Sequence, residues 1–111
     1  MPNKSVPEDL LAFQLKAAKI KFERQFKAVP DRRFAFDFKC MIFLTENIIR
    51  SILVDVQGGV WIKGGHTTGT GVTRDCEKYS LAAIEGYRVI LCTPAQIKQG
   101  LALKWIEEAL K

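Results

Sequence analysis

Two adjacent β-type segments constrain most strongly how this chain of 111 residues folds. In the first, Phe34, Phe36 and Phe38 alternate with charged or small residues, and this period of two is typical of a strand. The second segment, residues 48–56, is rich in Ile and Val. A polar tip at residues 45–47 separates the two segments. We therefore predict a β-hairpin over residues 33–57.

The predicted hairpin brings two acidic side chains together. The midpoint between Asp37 and Asp55 falls on Glu46, the centre of the tip, so the two aspartates are expected roughly opposite each other on one face of the sheet. Gln57 shares that face because side chains alternate along a strand. Two facing carboxylates repel each other unless a cation lies between them, so the pair predicts a metal site.

The rest of the chain predicts an α/β domain. Thr93-Pro94-Ala95-Gln96 supplies an N-cap, a proline at the first helical position and a capping-box glutamine. Six of the eight glycines lie between residues 58 and 71, which predicts a mobile loop beside the acids. The remaining elements are predicted, in chain order, as a helix at 8–22, a strand at 23–28, a helix at 73–85 ended by Gly86, a strand at 87–92, and a helix at 94–110 with a kink at Gly100. This order favours a sheet covered by helices.

Composition and charge narrow the class of protein. A hydrophobic content of 48% and the length predict one globular domain, residues 1–111. Apolar runs are far shorter than the ~20 residues of a membrane span, and no signal-type segment follows Met1, so a cytoplasmic location without membrane contact is expected. Three widely spaced cysteines, Cys40, Cys76 and Cys92, predict reduced thiols and oppose a zinc site. The net charge of +5 fits a polyanionic partner such as nucleic acid.

The chain resembles the PD-(D/E)XK nuclease superfamily, whose signature is a carboxylate on one strand and a carboxylate-x-Lys on the next. Asp37 and Asp55 match the two carboxylates, and Gln57 stands at the lysine position. The ordered stretch RFAFDF…VDVQGGVW…GGH…G…DCEKY…GYRVILCT, over about residues 33–93, is similar to small phage and bacterial nuclease-like proteins. The part from Val54 to His66 is also similar to very-short-patch repair endonucleases. The resemblance implies a restriction-endonuclease-like αβββαβ core with a mixed central sheet flanked by helices.

The same resemblance implies a cofactor, Mg²⁺ with Mn²⁺ able to substitute, held by Asp37 and Asp55. Gln57 carries no charge and cannot act as a general base. It is a candidate for ligating the metal through its carbonyl or for orienting a water, against the alternative of a hydrogen bond that closes the strand end. The missing lysine has possible substitutes. Lys78 is the first choice because in this superfamily the lysine is known to migrate onto the helix after the strands; Lys39 and Lys63 are alternatives.

Further acidic and loop residues have two interpretations each. Glu77 and Glu23 are candidates for added carboxylates, although Glu77 is as well explained as an exposed helix residue and Glu23 slightly better as an ion pair with Lys19. His66 is a candidate for moving a proton or contacting the scissile phosphate. DNA contacts are expected from one aromatic and several basic residues, against the alternative of packing or solvated surface: Lys16, Lys19, Lys27, Arg33, Lys39, Trp61 and Lys63.

The leading functional hypothesis is a Mg²⁺-dependent DNA endonuclease of phage or bacterial DNA processing that cuts branched, junction or nicked DNA. A homodimer is expected, since a domain this small usually cuts both strands only as a dimer. The alternative is a nuclease-fold DNA-binding module whose catalysis is lost at Gln57, and a third reading is a basic protein–protein adaptor. The module predicts salt-sensitive DNA affinity without cleavage, and the adaptor predicts neither.

Overall fold

A four-stranded mixed sheet forms the centre of the computed structural model, which describes residues 5–57 and 69–111. In chain order the elements are α1 (Ser5–Ala17), β1 (Lys21–Phe26), β2 (Phe36–Leu44), β3 (Asn47–Val56), α2 (Gly69–Ile84), β4 (Val89–Cys92), α3 (Pro94–Lys98) and α4 (Leu101–Leu110). The strands lie in the order β1-β2-β3-β4, where β1–β2 and β2–β3 pair antiparallel and β3–β4 pair parallel. The predicted α/β class, with a mixed sheet flanked by helices, is confirmed.

Helices cover both faces of the sheet. On one face, residues of α1, α3 and α4 enclose a core that includes Phe38 and the alternate β3 residues Ile52 and Val54. On the other face, Ala82 of α2 packs in a second cluster with Leu53. A fully buried side chain of this size stabilises the fold by about 1.5–3 kcal/mol, so the alternation of β3 between two cores fixes its orientation firmly.

The register of the β2–β3 hairpin agrees with the sequence prediction. Phe38 pairs with Val54 and Lys39 with Leu53, so the next positions along the ladder, Asp37 and Asp55, face each other. A bulge between Ile42 and Phe43 shifts the pairing by one residue near the tip. Because the bulge lies beyond the aspartates, it does not alter their alignment.

The first helix is shorter than predicted. It ends at Ala17, not at residue 22, because Lys19 adopts a left-handed conformation with φ 62° and turns the chain into β1. Phe22, expected on the apolar face of the helix, belongs to β1 and packs edge-on against Phe38 with ring centroids 5.5 Å apart. An apolar residue at this position fits a helix face and a strand equally, so the sequence pattern does not mark the end of the helix.

The second half of the chain follows the predicted order with one division. The single helix expected at residues 94–110 is two helices, α3 and α4, because Gly100 has φ 83° and starts a new helix. The Thr93–Gln96 capping box is present, and Gly86 has the positive φ, 94°, of a residue that ends a helix. Cys40 and Cys92 are buried free thiols whose pKa values burial raises to about 12 and about 11, and Cys76 is an exposed free thiol.

Two further findings concern membrane-spanning helices and the glycine loop. No helix within the described ranges is long and apolar enough to cross a membrane. The predicted glycine loop at residues 58–71 lies, up to residue 68, outside the described residues.

Candidate functional site

Asp37 and Asp55 are bound to each other's strands through backbone hydrogen bonds. The Asp37 amide donates to Asp55 Oδ1 over 2.9 Å, and the Val56 amide donates to Asp37 Oδ2 over 2.8 Å. Asp55 is the one buried charged residue among the described residues, with 5% of its surface exposed. An uncompensated buried carboxylate is costly, so the site must supply compensating donors or positive charge.

Helix α2 supplies that compensation to Asp55. Lys78 Nζ donates to Asp55 Oδ2 over 2.7 Å and to the Ala35 carbonyl over 2.9 Å. The Tyr79 hydroxyl donates to the same Asp55 Oδ2 over 2.9 Å and accepts from Gln57 Nε2 over 2.8 Å. Burial, followed by the negative charge of Asp55, raises the pKa of Tyr79, so the phenol stays protonated and remains a donor. Consecutive residues of one helix thus place an ammonium and a phenol on one carboxylate oxygen.

Glu8, in the first turn of α1, brings a third carboxylate to the site. Glu8 lies close enough to Asp37 for the charges of the two carboxyl groups to interact. Burial raises the pKa of Glu8, and the charge of Asp37 raises it further, although Arg24 opposes the shift from 3.6 Å away. The pKa of Asp37 is also raised, first by burial and then by the charge of Asp55, against the Val56 amide bond that lowers it.

The two acids with raised pKa values form the part of the site that a hard cation fits. Among the described residues, Asp37 Oδ1 makes one hydrogen-bond contact, a long one of 3.5 Å with Gln25 Nε2, and Glu8 lies near Asp37. Within residues 5–57 and 69–111, no group of three or more His, Cys, Asp or Glu side chains is placed to hold a metal ion. Mg²⁺ does not need such a group, because it is usually bound by one or two carboxylates and keeps several waters. The oxygen pair of Glu8 and Asp37 fits Mg²⁺ on this ground, whereas Asp55 has both oxygens engaged by donors.

The predicted site residues divide between those that meet and those that do not. Asp37, Asp55, Gln57 and Lys78 are brought together. Glu77 instead pairs with Arg32 over 2.9 Å on the exposed side of α2.

Lys39, an alternative for the missing lysine, and Glu23, a candidate for an added carboxylate, do not join this cluster. Lys39 is half-buried, with Nζ over the rings of Phe26 and Tyr87 at 4.5 and 5.8 Å from their centroids. Glu23 lies in β1, so the idea that it contributes an acid from the first helix is wrong, and so is the helical pairing with Lys19.

The structure describes some of the residues that are predicted to contact DNA. Lys16, Lys19, Lys27 and Arg33 are exposed, as a phosphate contact requires. Trp61, Lys63 and His66 lie outside the described residues.

Sequence reasoning missed Glu8 and Tyr79. The sequence pattern assigns no site role to Glu8, and Tyr79 appears only within the DCEKY stretch. Tyr79 has no local signal, because adjacent residues of a helix do not face each other. Glu8 has none either, since the path of α1 across the sheet brings it to Asp37.

No family model, curated protein or solved structure matches this chain. The functional argument therefore depends on the geometry of the acids, the lysine and the charges around them.

Proposed function

We propose that the protein is a Mg²⁺-dependent DNA endonuclease of the PD-(D/E)XK superfamily. The observation that carries the proposal is the 2.7 Å contact between Lys78 Nζ and Asp55 Oδ2. The superfamily pairs a lysine with the second carboxylate, and here Gln57 stands where that lysine is expected. An ammonium delivered from α2 to the same carboxylate supports the interpretation that Lys78 has taken over its role.

Glu8 and Asp37 are the residues that would hold Mg²⁺, with Asp55 as a further ligand if it exchanges one of its donors. The ion, when bound, supplies positive charge to the scissile phosphate and lowers the pKa of a bound water. Other residues of the site provide positive charge and orient Asp55. Lys78 keeps a positive charge beside the acids, where negative charge develops on the phosphate during hydrolysis. Tyr79 and Gln57 hold the orientation of Asp55 through their chain of two hydrogen bonds.

The raised pKa values of Glu8 and Asp37 give the site a dependence on pH. Both carboxylates must be ionised to act as ligands, and both have raised pKa values. Cation binding therefore competes with the proton, and activity is expected to rise with pH through the raised pKa values of this pair.

One observation favours the second candidate, a nuclease-fold DNA-binding module. Both Asp55 oxygens are already engaged, Oδ1 by the Asp37 amide and Oδ2 by Lys78 and Tyr79. Such a satisfied ion pair is also what a purely structural centre contains. In that case the exposed basic residues bind DNA and the acids only hold the hairpin to α2.

A homodimer remains part of the endonuclease proposal, because one centre cuts one strand. The tip of the β2–β3 hairpin carries an exposed apolar group, Phe43, Leu44, Ile48 and Ile49, of the kind that protein interfaces cover. Light scattering of the wild type and of Ile49→Lys tests this point. A dimer in the wild type that dissociates in the variant supports it, and a monomeric wild type removes the dimer from the proposal.

The test of the proposed function is a cleavage assay on supercoiled, nicked, linear and four-way-junction DNA, with Mg²⁺, with Mn²⁺ and with neither. We compare the wild type with Lys78→Met, and we use Lys104→Met on the exposed side of α4 as the matched control. Metal-dependent cleavage should fall on the order of 10²-fold in Lys78→Met, the usual loss for an electrostatic group, and remain unchanged in Lys104→Met. Circular dichroism at the assay temperature confirms that each variant is folded. Salt-sensitive DNA binding without cleavage of any substrate would favour the binding module.

A further inference from the structure

A surface cavity of about 380 Å³ lies between α2 and the segment that leads into β2. Arg33 and Phe34 line it from this segment, and Arg74, Asp75 and Lys78 line it from α2. Its volume is at the lower end of the range for small-ligand sites. The cavity is therefore suited to a group of the size of one nucleotide and is too small to enclose a duplex.

Positive charge predominates in the cavity lining. Arg33, Arg74 and Lys78 contribute three positive charges, against one negative charge from Asp75. Lys78 is neutralised by Asp55, but neither Arg33 nor Arg74 takes part in an ion pair among residues 5–57 and 69–111. The two guanidinium groups are thus available for an anion, and guanidinium geometry suits phosphate.

Two contacts hold the walls of the cavity together. Arg32 pairs with Glu77 over 2.9 Å, and Lys78 donates to the Ala35 carbonyl over 2.9 Å. These contacts flank Arg33 and Phe34 on both sides along the chain, so the segment is fixed to α2 while Arg33 remains exposed. The neighbouring arginines therefore have different roles. Arg32 connects the segment to α2 through Glu77, and Arg33 is an exposed residue of the cavity lining.

The cavity adjoins the acids directly. Lys78 lines it and also contacts Asp55, so a group bound there lies next to the candidate catalytic centre. Phe34 is half-buried in the lining and offers an aromatic surface, on which nucleic-acid bases commonly stack.

We propose that this cavity binds one unpaired nucleotide of the DNA strand, with its phosphate between Arg33 and Arg74 and its base against Phe34. The proposal rests on the proposed role in DNA binding and deepens it, since it names the substrate class. A centre with a pocket for one unpaired nucleotide acts on branched, frayed or single-stranded positions in preference to continuous duplex.

The experiment measures binding of three probes by NMR titration of the isotope-labelled protein, at low salt and without divalent cations, so that no cleavage takes place. The probes are thymidine 5′-monophosphate, thymidine and inorganic phosphate. The nucleotide should bind more tightly than either part and should shift the amide signals of residues 33–35 and 74–78. Arg33→Gln and Arg74→Gln should each weaken nucleotide binding about tenfold, whereas the exposed Arg50→Gln on β3 serves as the matched control and should have no effect.

Phe34→Leu separates the base from the phosphate. It should weaken nucleotide binding about tenfold and leave phosphate binding unchanged. The proposal would be overturned if the protein bound the nucleotide and phosphate with equal affinity. It would also be overturned if Arg50→Gln weakened nucleotide binding as much as Arg74→Gln does.

Failure of the cavity proposal can be distinguished from failure of the endonuclease proposal. Cleavage of DNA by a protein that does not bind the nucleotide at residues 33–35 and 74–78 refutes the cavity proposal alone. Nucleotide binding there by a protein that cuts no DNA supports the cavity and refutes the endonuclease.

Discussion

Removal of the Lys78 ammonium tests how strongly the site depends on one ion pair. Lys78→Met keeps the aliphatic stem and deletes the charge, so Asp55 loses its only cationic partner among the described residues. Loss of one member of a buried pair typically costs 3–5 kcal/mol. The side chains of Lys78 and Asp55 are 15% and 6% exposed, and Asp55 keeps its hydrogen bonds from Tyr79 and from the Asp37 amide. We therefore expect the lower end, about 3 kcal/mol of unfolding free energy.

Gln57→Lys provides the second half of the experiment. Gln57 Nε2 is 2.8 Å from the Tyr79 hydroxyl, which is 2.9 Å from Asp55 Oδ2, so a lysine at position 57 reaches the carboxylate that Lys78 vacates. In the Lys78→Met background this change should restore on the order of 1–2 kcal/mol. In the wild type it adds a second ammonium beside Lys78, so it should be neutral or destabilising.

Urea unfolding followed by circular dichroism measures all four proteins of this double-mutant cycle. For a domain of this size, a loss of about 3 kcal/mol lowers the urea midpoint on the order of 1–2 M. The same four proteins in the cleavage assay should show a severe loss in Lys78→Met that is milder when Gln57→Lys is present. Additive effects in both assays would refute the reasoning, because they mean that the two positions do not share one carboxylate.

Three other predictions concern the acids and the basic surface. The raised pKa values of Asp37 and Glu8 mean that the folded state holds protons more tightly than the unfolded state, so this pair contributes stability at low pH that is lost as the pH rises through the raised values. In metal-free buffer, Asp37→Asn should therefore raise the unfolding free energy at pH 7 and flatten its decline with pH in urea titrations. An unchanged pH profile would contradict the raised pKa of Asp37. Mn²⁺ should raise the Tm of the wild type but not of Glu8→Gln, and calorimetry in two buffers of different ionisation enthalpy should show proton release on binding. Replacement of Lys16, Lys19 and Lys27 by Gln should reduce the magnitude of the slope of log K for DNA binding against log salt by about 0.9 for each lost phosphate contact. An unchanged slope would mean that DNA binds to a different surface of the protein.

The facing aspartates were predictable because the hairpin register follows from local sequence. The midpoint between Asp37 and Asp55 falls in the polar tip, and the alternation of β3 between two cores allows no slip by one residue. The bulge at Ile42 and Phe43 was not predictable, but it lies on the tip side of the aspartates and leaves their register intact.

Glu8 was not predictable from local sequence, because its role depends on the path of a helix across the sheet. The end of α1 was placed at residue 22 for a related reason. Phe22 fits an apolar helix face and a strand equally, and the left-handed turn at Lys19 has no glycine to mark it. Lys78 was the first choice for the substitute lysine through the resemblance alone. Its contact with Asp55 depends on the packing of α2 against the sheet, which no spacing in the sequence specifies.

The measurement that tests the central claim most directly is DNA cleavage by the wild type and by Asp37→Asn in Mg²⁺. Asp31→Asn is the matched control, because Asp31 is exposed with φ 65°, a conformation that asparagine also tolerates. We predict Mg²⁺-dependent cleavage by the wild type and by Asp31→Asn, and none by the folded Asp37→Asn protein. Cleavage by Asp37→Asn at the wild-type rate, or no cleavage by the wild type of any substrate with Mg²⁺ or Mn²⁺, would contradict a nuclease centre at these acids.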